Sequence, residues 1–197
     1  MADIQKKEDI YTFKILLLGD STIGKTAFIL RFCEDKFDSD SLTTIGLDQK
    51  NKYVKRGDKK LELHIWDTAG QERFKSISQN SIKNCKGVVV VFDLTNKISF
   101  EKVTDWIEQV RELTRKVPIC LFGNKSDLSN REVTQEEIDK LCKEQNLVYF
   151  ETSAKNNTGI TEGFNKMVNL SYQIFGNINQ NIILRKTEKR PKKKKCC

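Results

Sequence analysis

The sequence lacks any apolar run longer than a single strand, which excludes a helix able to cross a bilayer. It has no leader-like start: Met1 to Asp9 is charged and polar, so no secretory signal is expected. Its six cysteines show no metal-ligand spacing. Cys33, Cys85, Cys120 and Cys142 lie scattered among apolar neighbours and read as buried free thiols of a reducing compartment. The single histidine, His64, sits between Leu63 and Ile65 on an alternating stretch, where it is expected to point outward and take no catalytic part. No side chain stands out as a strong general base. The acid pair Glu136–Glu137 belongs to a helix start, Thr134-Gln-Glu-Glu137, with the capping-box pattern.

A basic groove is missing as well, although the net charge is +8. Residues 185–197 hold eight Lys or Arg against one Glu, a net +7, which leaves +1 for residues 1–184. A nearly neutral globule with a basic tail disfavours a nucleic-acid-binding module and argues for tethering at one end.

What is present begins with residues 13–26, Phe13-Lys-Ile-Leu-Leu-Leu-Gly-Asp-Ser-Thr-Ile-Gly-Lys-Thr26. An apolar strand breaks at Gly19, and Gly24-Lys25-Thr26 opens a helix that reaches about Asp35. This fits the phosphate-cradling pattern G-x-x-x-x-G-K-[ST]. The glycines let the backbone curl so that successive N–H groups face one point, and the helix N-terminus adds its own unpaired N–H groups. Lys25 can reach outer phosphates, and the Thr26 hydroxyl can bind a magnesium ion.

Residues 36–46 are polar and aperiodic and read as a loop. Leu47 to Lys55 is a polar strand, Arg56-Gly57-Asp58 a turn, and Leu61, Leu63 and Ile65 alternate into a third strand. Together these predict an antiparallel hairpin with its polar member at the sheet edge. Gly87–Asp93 and Pro118–Phe122 read as strands buried on both faces, and Leu147–Phe150 as the last strand. A helix is predicted around Phe100, Val103, Ile107 and Val110, with Trp106 read as a core residue. Another runs from Thr134 to about Gln145. Gly159–Phe175 closes the domain with Ile160, Phe164, Met167, Val168 and Ile174 toward the core. Alternating strands and helices predict an α/β domain with a mostly parallel sheet and helices on both faces. Ligands bind such sheets outside the carboxyl ends of the strands. The phosphate loop and the loops at Asp67, Asn124 and Ser153 all follow strands.

The set GDSTIGKT, WDTAGQE, NKSD and ETSAK resembles the small GTPases of the Ras superfamily, and WDTAGQERF, TTIGLD and the terminal Cys-Cys resemble a Rab. The resemblance implies the small-GTPase P-loop fold, six strands with one antiparallel edge strand. It assigns residues 1–10 to a flexible arm, 11–175 to the GTPase domain and 176–197 to a hypervariable tail. It places Ser21, Thr22, Ile23, Gly24, Lys25, Thr26 and Ala27 around the phosphates of GTP or GDP. Mg2+ would be held by Thr26, by Thr44 in the triphosphate state and by Asp67 through water. The Gly70 N–H would sense the γ-phosphate and Gln71 would orient the attacking water. Phe37 would pack against the guanine. Asp127 would accept the two adjacent N–H donors of guanine, which adenine lacks. Asn124 would brace the loops, the Lys125 stem would cover the base, and Ser153, Ala154 and Lys155 would flank it, with the Ala154 N–H on O6.

The resemblance further implies two geranylgeranyl groups on Cys196 and Cys197 and residence on the cytoplasmic face of an endomembrane, cycling with cytosol. Implied partners are an exchange factor, an activating protein, a GDP-dissociation inhibitor, an escort protein with its transferase, and effectors. Nucleic acid is not among them. No arginine is placed against the γ-phosphate, so hydrolysis is expected to be slow until a partner supplies the charge. A nucleotide-loaded scaffold without turnover is the alternative; a P-loop kinase lacks a visible lid or second site. Three departures stand out. Thr22 replaces the usual glycine and is either strained or tolerated there. Gln49 replaces a phenylalanine. Ser81-Ile82-Lys83 replaces a pair of tyrosines and an arginine, so the aromatic surface read by Rab partners is largely absent.

Overall fold

The computed structural model describes residues 10–37, 47–68 and 79–176. Its strands are β1 (Ile10–Leu18), β2 (Leu47–Arg56), β3 (Lys59–Thr68), β4 (Gly87–Asp93), β5 (Ile119–Asn124) and β6 (Val148–Glu151). Its helices are α1 (Lys25–Glu34), α2 (Gln79–Lys83), α3 (Lys97–Glu101), α4 (Val103–Leu113), α5 (Gln135–Gln145) and α6 (Ile160–Phe175). They build one six-stranded sheet in the order β2-β3-β1-β4-β5-β6. Only β2 runs antiparallel, and it forms the edge, as its polar sequence predicts.

Alternation along the strands makes two cores. Phe13, Ile15 and Leu17 of β1 and Leu61, Leu63 and Ile65 of β3 face α1 and α6, where Phe32 stacks on Phe164 at 4.0 Å. Leu16 and Leu18 face the other way, with Val88, Val90 and Leu121, onto Ile82 of α2, Val103 and Ile107 of α4 and Ile138 of α5. Every residue of β4 is buried because both faces are covered. From β1 the chain lays β3 and β2 on one side, then β4, β5 and β6 on the other. The carboxyl end of β1 therefore lies where the strand order reverses.

Several elements differ from the sequence-based expectation. β1 begins at Ile10, the last residue assigned to the arm, because Ile10 pairs with Lys60 of β3. The helix expected around Phe100 is two helices, α3 and α4, divided at Lys102. The short α2 was not expected; its Ile82 is buried. Ile174, expected on the core side of α6, is 41% exposed, whereas the next residue, Phe175, packs against the core. The capping box is present: the Glu137 N–H donates to Thr134 Oγ1 at 3.3 Å, and the Thr134 N–H donates to Glu137 Oε2 at 3.1 Å. The four internal cysteines are free, with Cys85 and Cys120 buried and Cys33 and Cys142 partly so. Burial pushes the Cys33 and Cys85 thiols up to about 11 and Cys120 up to about 12, so they are unreactive near neutrality.

Candidate active site

The phosphate loop between β1 and α1 closes by unusual backbone angles. Gly19 has φ 136° and Gly24 φ 89°. A Cβ on Gly19 would stand 2.2 Å from the Val91 carbonyl oxygen, and one on Gly24 would stand 2.8 Å from Asn124 Nδ2. Both framing positions thus require glycine for space as well as for conformation. Lys25 is 5% exposed, and its ammonium donates to the carbonyls of Gly19 at 2.9 Å and Asp20 at 2.5 Å. The charge is thereby pinned beneath the curl of the loop. The side chains of Ile23 and Ala27 are buried in the core, so these two residues can offer a ligand only their backbone groups.

Thr26 Oγ1 donates to Asp67 Oδ2 at 2.6 Å, joining the start of α1 to the end of β3. A hydroxyl and a largely buried carboxylate so close together form an oxygen donor set that fits a hard divalent cation such as Mg2+. Asn124, 2% exposed, ends β5 and joins two loops. Its Nδ2 donates to the Ile23 carbonyl at 2.8 Å, and its Oδ1 accepts the Ala154 N–H at 3.3 Å, a long and weak bond. That N–H, expected on a guanine oxygen, is turned to Asn124 here. Lys125 Nζ donates to the Thr22 carbonyl at 3.1 Å and pairs with Asp93 at 2.6 Å. Ser153 Oγ donates to Asp127 Oδ1 at 2.6 Å and accepts the Asn156 N–H at 3.0 Å, which orients the carboxylate. Phe37 is 38% exposed, with the Arg31 guanidinium 6.0 Å from its ring centre. Lys155 is exposed.

The structure therefore gathers the phosphate loop, Asp67, Asn124–Asp127 and Ser153–Lys155 at one edge of the sheet. Thr44, Gly70, Gln71, Cys196 and Cys197 lie outside the described residues. Two contributors were missed. Arg31 of α1 donates from Nε to the Ala154 carbonyl at 2.9 Å and from Nη2 to that of Lys155 at 3.2 Å. Asp93 anchors Lys125 from the end of β4. Neither had a sequence signal beyond its position on a strand end or helix, because both act on partners distant in the chain.

A phosphate loop at the reversal point of a mostly parallel sheet, with a lysine beneath it and an oxygen pair beside it, defines a P-loop nucleotide-binding domain. Comparison with known proteins narrows the class. The Ras family model matches residues 14–173. Ras-related protein Rab-13 of Mesocricetus auratus is 42% identical over 159 residues, covering 80% of this chain and 78% of that protein. Ras-related protein Rab-3 of Caenorhabditis elegans is 41% identical over 162 residues, covering 81% and 74%. Ras-related protein Rab-18 of Lymnaea stagnalis is 38% identical over 175 residues, covering 88% and 87%. The chain belongs to the Ras family, as a Rab-type small GTPase. Its general activity is that of a GTPase in membrane trafficking.

Membership gives weight to Thr22, whose φ of 64° lies in the left-handed region. A β-branched residue is disfavoured there by ~1–2 kcal/mol, and it persists because Lys125 holds its carbonyl. Thr22→Gly relieves that strain but adds freedom to the unfolded chain, for a net gain of about 1 kcal/mol. The melting temperature should rise about 3 °C, and GDP release should slow severalfold. An unchanged melting point together with an unchanged release rate would show that the threonine is not strained.

Proposed function

We propose that the protein is a GTP/GDP switch that hydrolyses GTP slowly by itself and works on the cytoplasmic face of an endomembrane. The observation that carries this reading is the bond from Asn124 to the Ile23 carbonyl, which joins the base-side loop to the phosphate loop in one rigid cradle. Lys25 neutralises the outer phosphates, and Thr26 with Asp67 holds Mg2+, which supplies positive charge to the phosphate oxygens when bound. Asp127 reads the guanine edge, oriented by Ser153. Gln71 positions a water whose oxygen attacks the γ-phosphorus in line. The bond from that phosphorus to the bridging oxygen breaks, and GDP and phosphate leave. Thr44 and Gly70 touch only the triphosphate state, so their loops order with GTP and relax with GDP.

An activating protein supplies the missing cation, an exchange factor reloads the site, and effectors read the triphosphate form. Cys196 and Cys197 carry two geranylgeranyl groups, which give a stable anchor where one would be marginal. An escort protein with its transferase attaches them, and a GDP-dissociation inhibitor returns the protein to cytosol. Among the described residues no helix is long and apolar enough to cross a membrane.

The test is to release and identify the nucleotide carried by the purified protein, then follow a single turnover of added GTP. Bound GDP with slow, finite turnover supports the switch. Bound GTP without turnover favours a nucleotide-loaded scaffold, and an adenine nucleotide overturns the base readout.

A further inference from the structure

The end of the sheet opposite the nucleotide cradle carries an unbalanced charge. β1 and β3 run past the start of β4, which faces Ile15, so residues 10–14 and the β2–β3 hairpin project about 16 Å further, at ~3.3 Å per residue. At the tip, register places Lys55 opposite Lys60 and Arg56 opposite Lys59. Four cations occupy two neighbouring rungs, and like charges directly opposite one another are destabilising. The only carboxylate between residues 55 and 60 is Asp58.

Among the described residues none of these four cations forms an ion pair with a carboxylate. Arg56 donates to Asn169 Oδ1 at 2.6 Å and to Asn165 Oδ1 at 2.8 Å. Lys59 lies over the rings of Tyr11 and Tyr172, and Lys60 over Tyr53. The tip is held in shape by neutral partners while its charge is left available. Tyr172 is in the last turn of α6, so the chain leaves the domain at Gly176 beside this hairpin and continues into the basic residues 185–197.

We propose that the β2–β3 tip is a contact of the folded domain with an anionic lipid surface. Lys55 and Lys60 face the headgroups, and Arg56 and Lys59 fix the tip against α6. A lipid surface fits better than an acidic protein because the tip and the basic tail issue from the same end, and a flat anionic plane meets both at once. The tip would also set how the domain stands on the membrane, with the nucleotide cradle directed away from it. The proposal rests on the membrane reading above.

The test uses the full-length chain, GDP-loaded and carrying no lipid. It is sedimented with phosphatidylcholine vesicles, with or without about one-third phosphatidylserine, in ~100 mM salt. Each basic residue near such a surface is worth about a fivefold change in binding, so Lys55→Gln with Lys60→Gln should weaken binding to the anionic vesicles more than tenfold. Its melting point should be unchanged or raised, since a like-charged rung is removed. Unaltered binding of this variant, with binding lost on changing Lys192–Lys195 to Gln, would overturn the tip contact and leave the membrane reading standing. Equal binding to neutral and anionic vesicles would overturn the tip contact, since it would show that the anionic headgroups are not recognised, and it leaves the lipid-anchored membrane reading standing. Loss of binding to polyglutamate with vesicle binding intact would assign the tip to an acidic protein and overturn the proposal.

Discussion

Asp127→Asn is expected to lower affinity for guanine nucleotides about a thousandfold and to raise affinity for xanthine nucleotides. Guanine offers two donors side by side, at N1 and the 2-amino group, and a carboxylate accepts both. Each bond to a charged acceptor is worth about 1.5–3 kcal/mol, so losing the match at both costs several kcal/mol. An asparagine amide offers one acceptor and one donor, which matches the N1–H and the 2-oxo group of xanthine. Ser153 Oγ sits 2.6 Å from Asp127 Oδ1 and can still donate to an amide oxygen, so the side chain should keep its orientation. Competition between labelled GDP and unlabelled XDP measures the switch. Guanine affinity within threefold of the parent would remove Asp127 from base recognition.

Asn124→Ala should be the most damaging single change to the cradle. The amide is buried, donates to Ile23 and accepts from Ala154, so truncation leaves a carbonyl and an N–H without partners and opens a gap beside Gly24. An unsatisfied buried group costs about 1–3 kcal/mol, which sums to about 3 kcal/mol here. The melting temperature should fall about 9 °C. GDP release should accelerate at least tenfold, because the phosphate loop and the 153–155 loop lose their common brace. Thermal melting and displacement of a fluorescent nucleotide report the two effects separately. A variant that melts early but releases GDP at the parental rate would confine Asn124 to stability.

Much of the site was legible because its chemistry is local. The Gly19–Thr26 spacing identifies a phosphate loop without any tertiary information, since a strand, a glycine curl and a helix start are neighbours in the chain. Asp127 and Ser153 were legible as members of short motifs, but the bond between them was not. Arg31 and Asp93 carried no signal because each acts on residues far along the chain: Ala154 and Lys155 for Arg31, Lys125 for Asp93. The break at Lys102 between α3 and α4 was hidden because the apolar spacing of Phe100, Val103, Ile107 and Val110 runs on across it. Ile174 misled for a related reason: apolar spacing predicts a face, but only the packing decides which residues on it are covered, and Phe175 is covered where Ile174 is not.

By itself the sequence determined the α/β class, the polar edge strand, the phosphate loop, the family and the segregation of basic charge into residues 185–197. Each follows from periodicity, neighbour-to-neighbour backbone chemistry or composition, which need no fold. The tertiary structure alone decided that Thr22 takes a left-handed conformation under Lys125, that Asn124 spans two loops, and that the basic tip of the β2–β3 hairpin lies against α6. Those depend on strand register and on contacts between residues as much as 113 positions apart, as in the bond from Arg56 to Asn169. Chain closure brings such residues together only when the whole sheet has formed, and no local pattern encodes that distance.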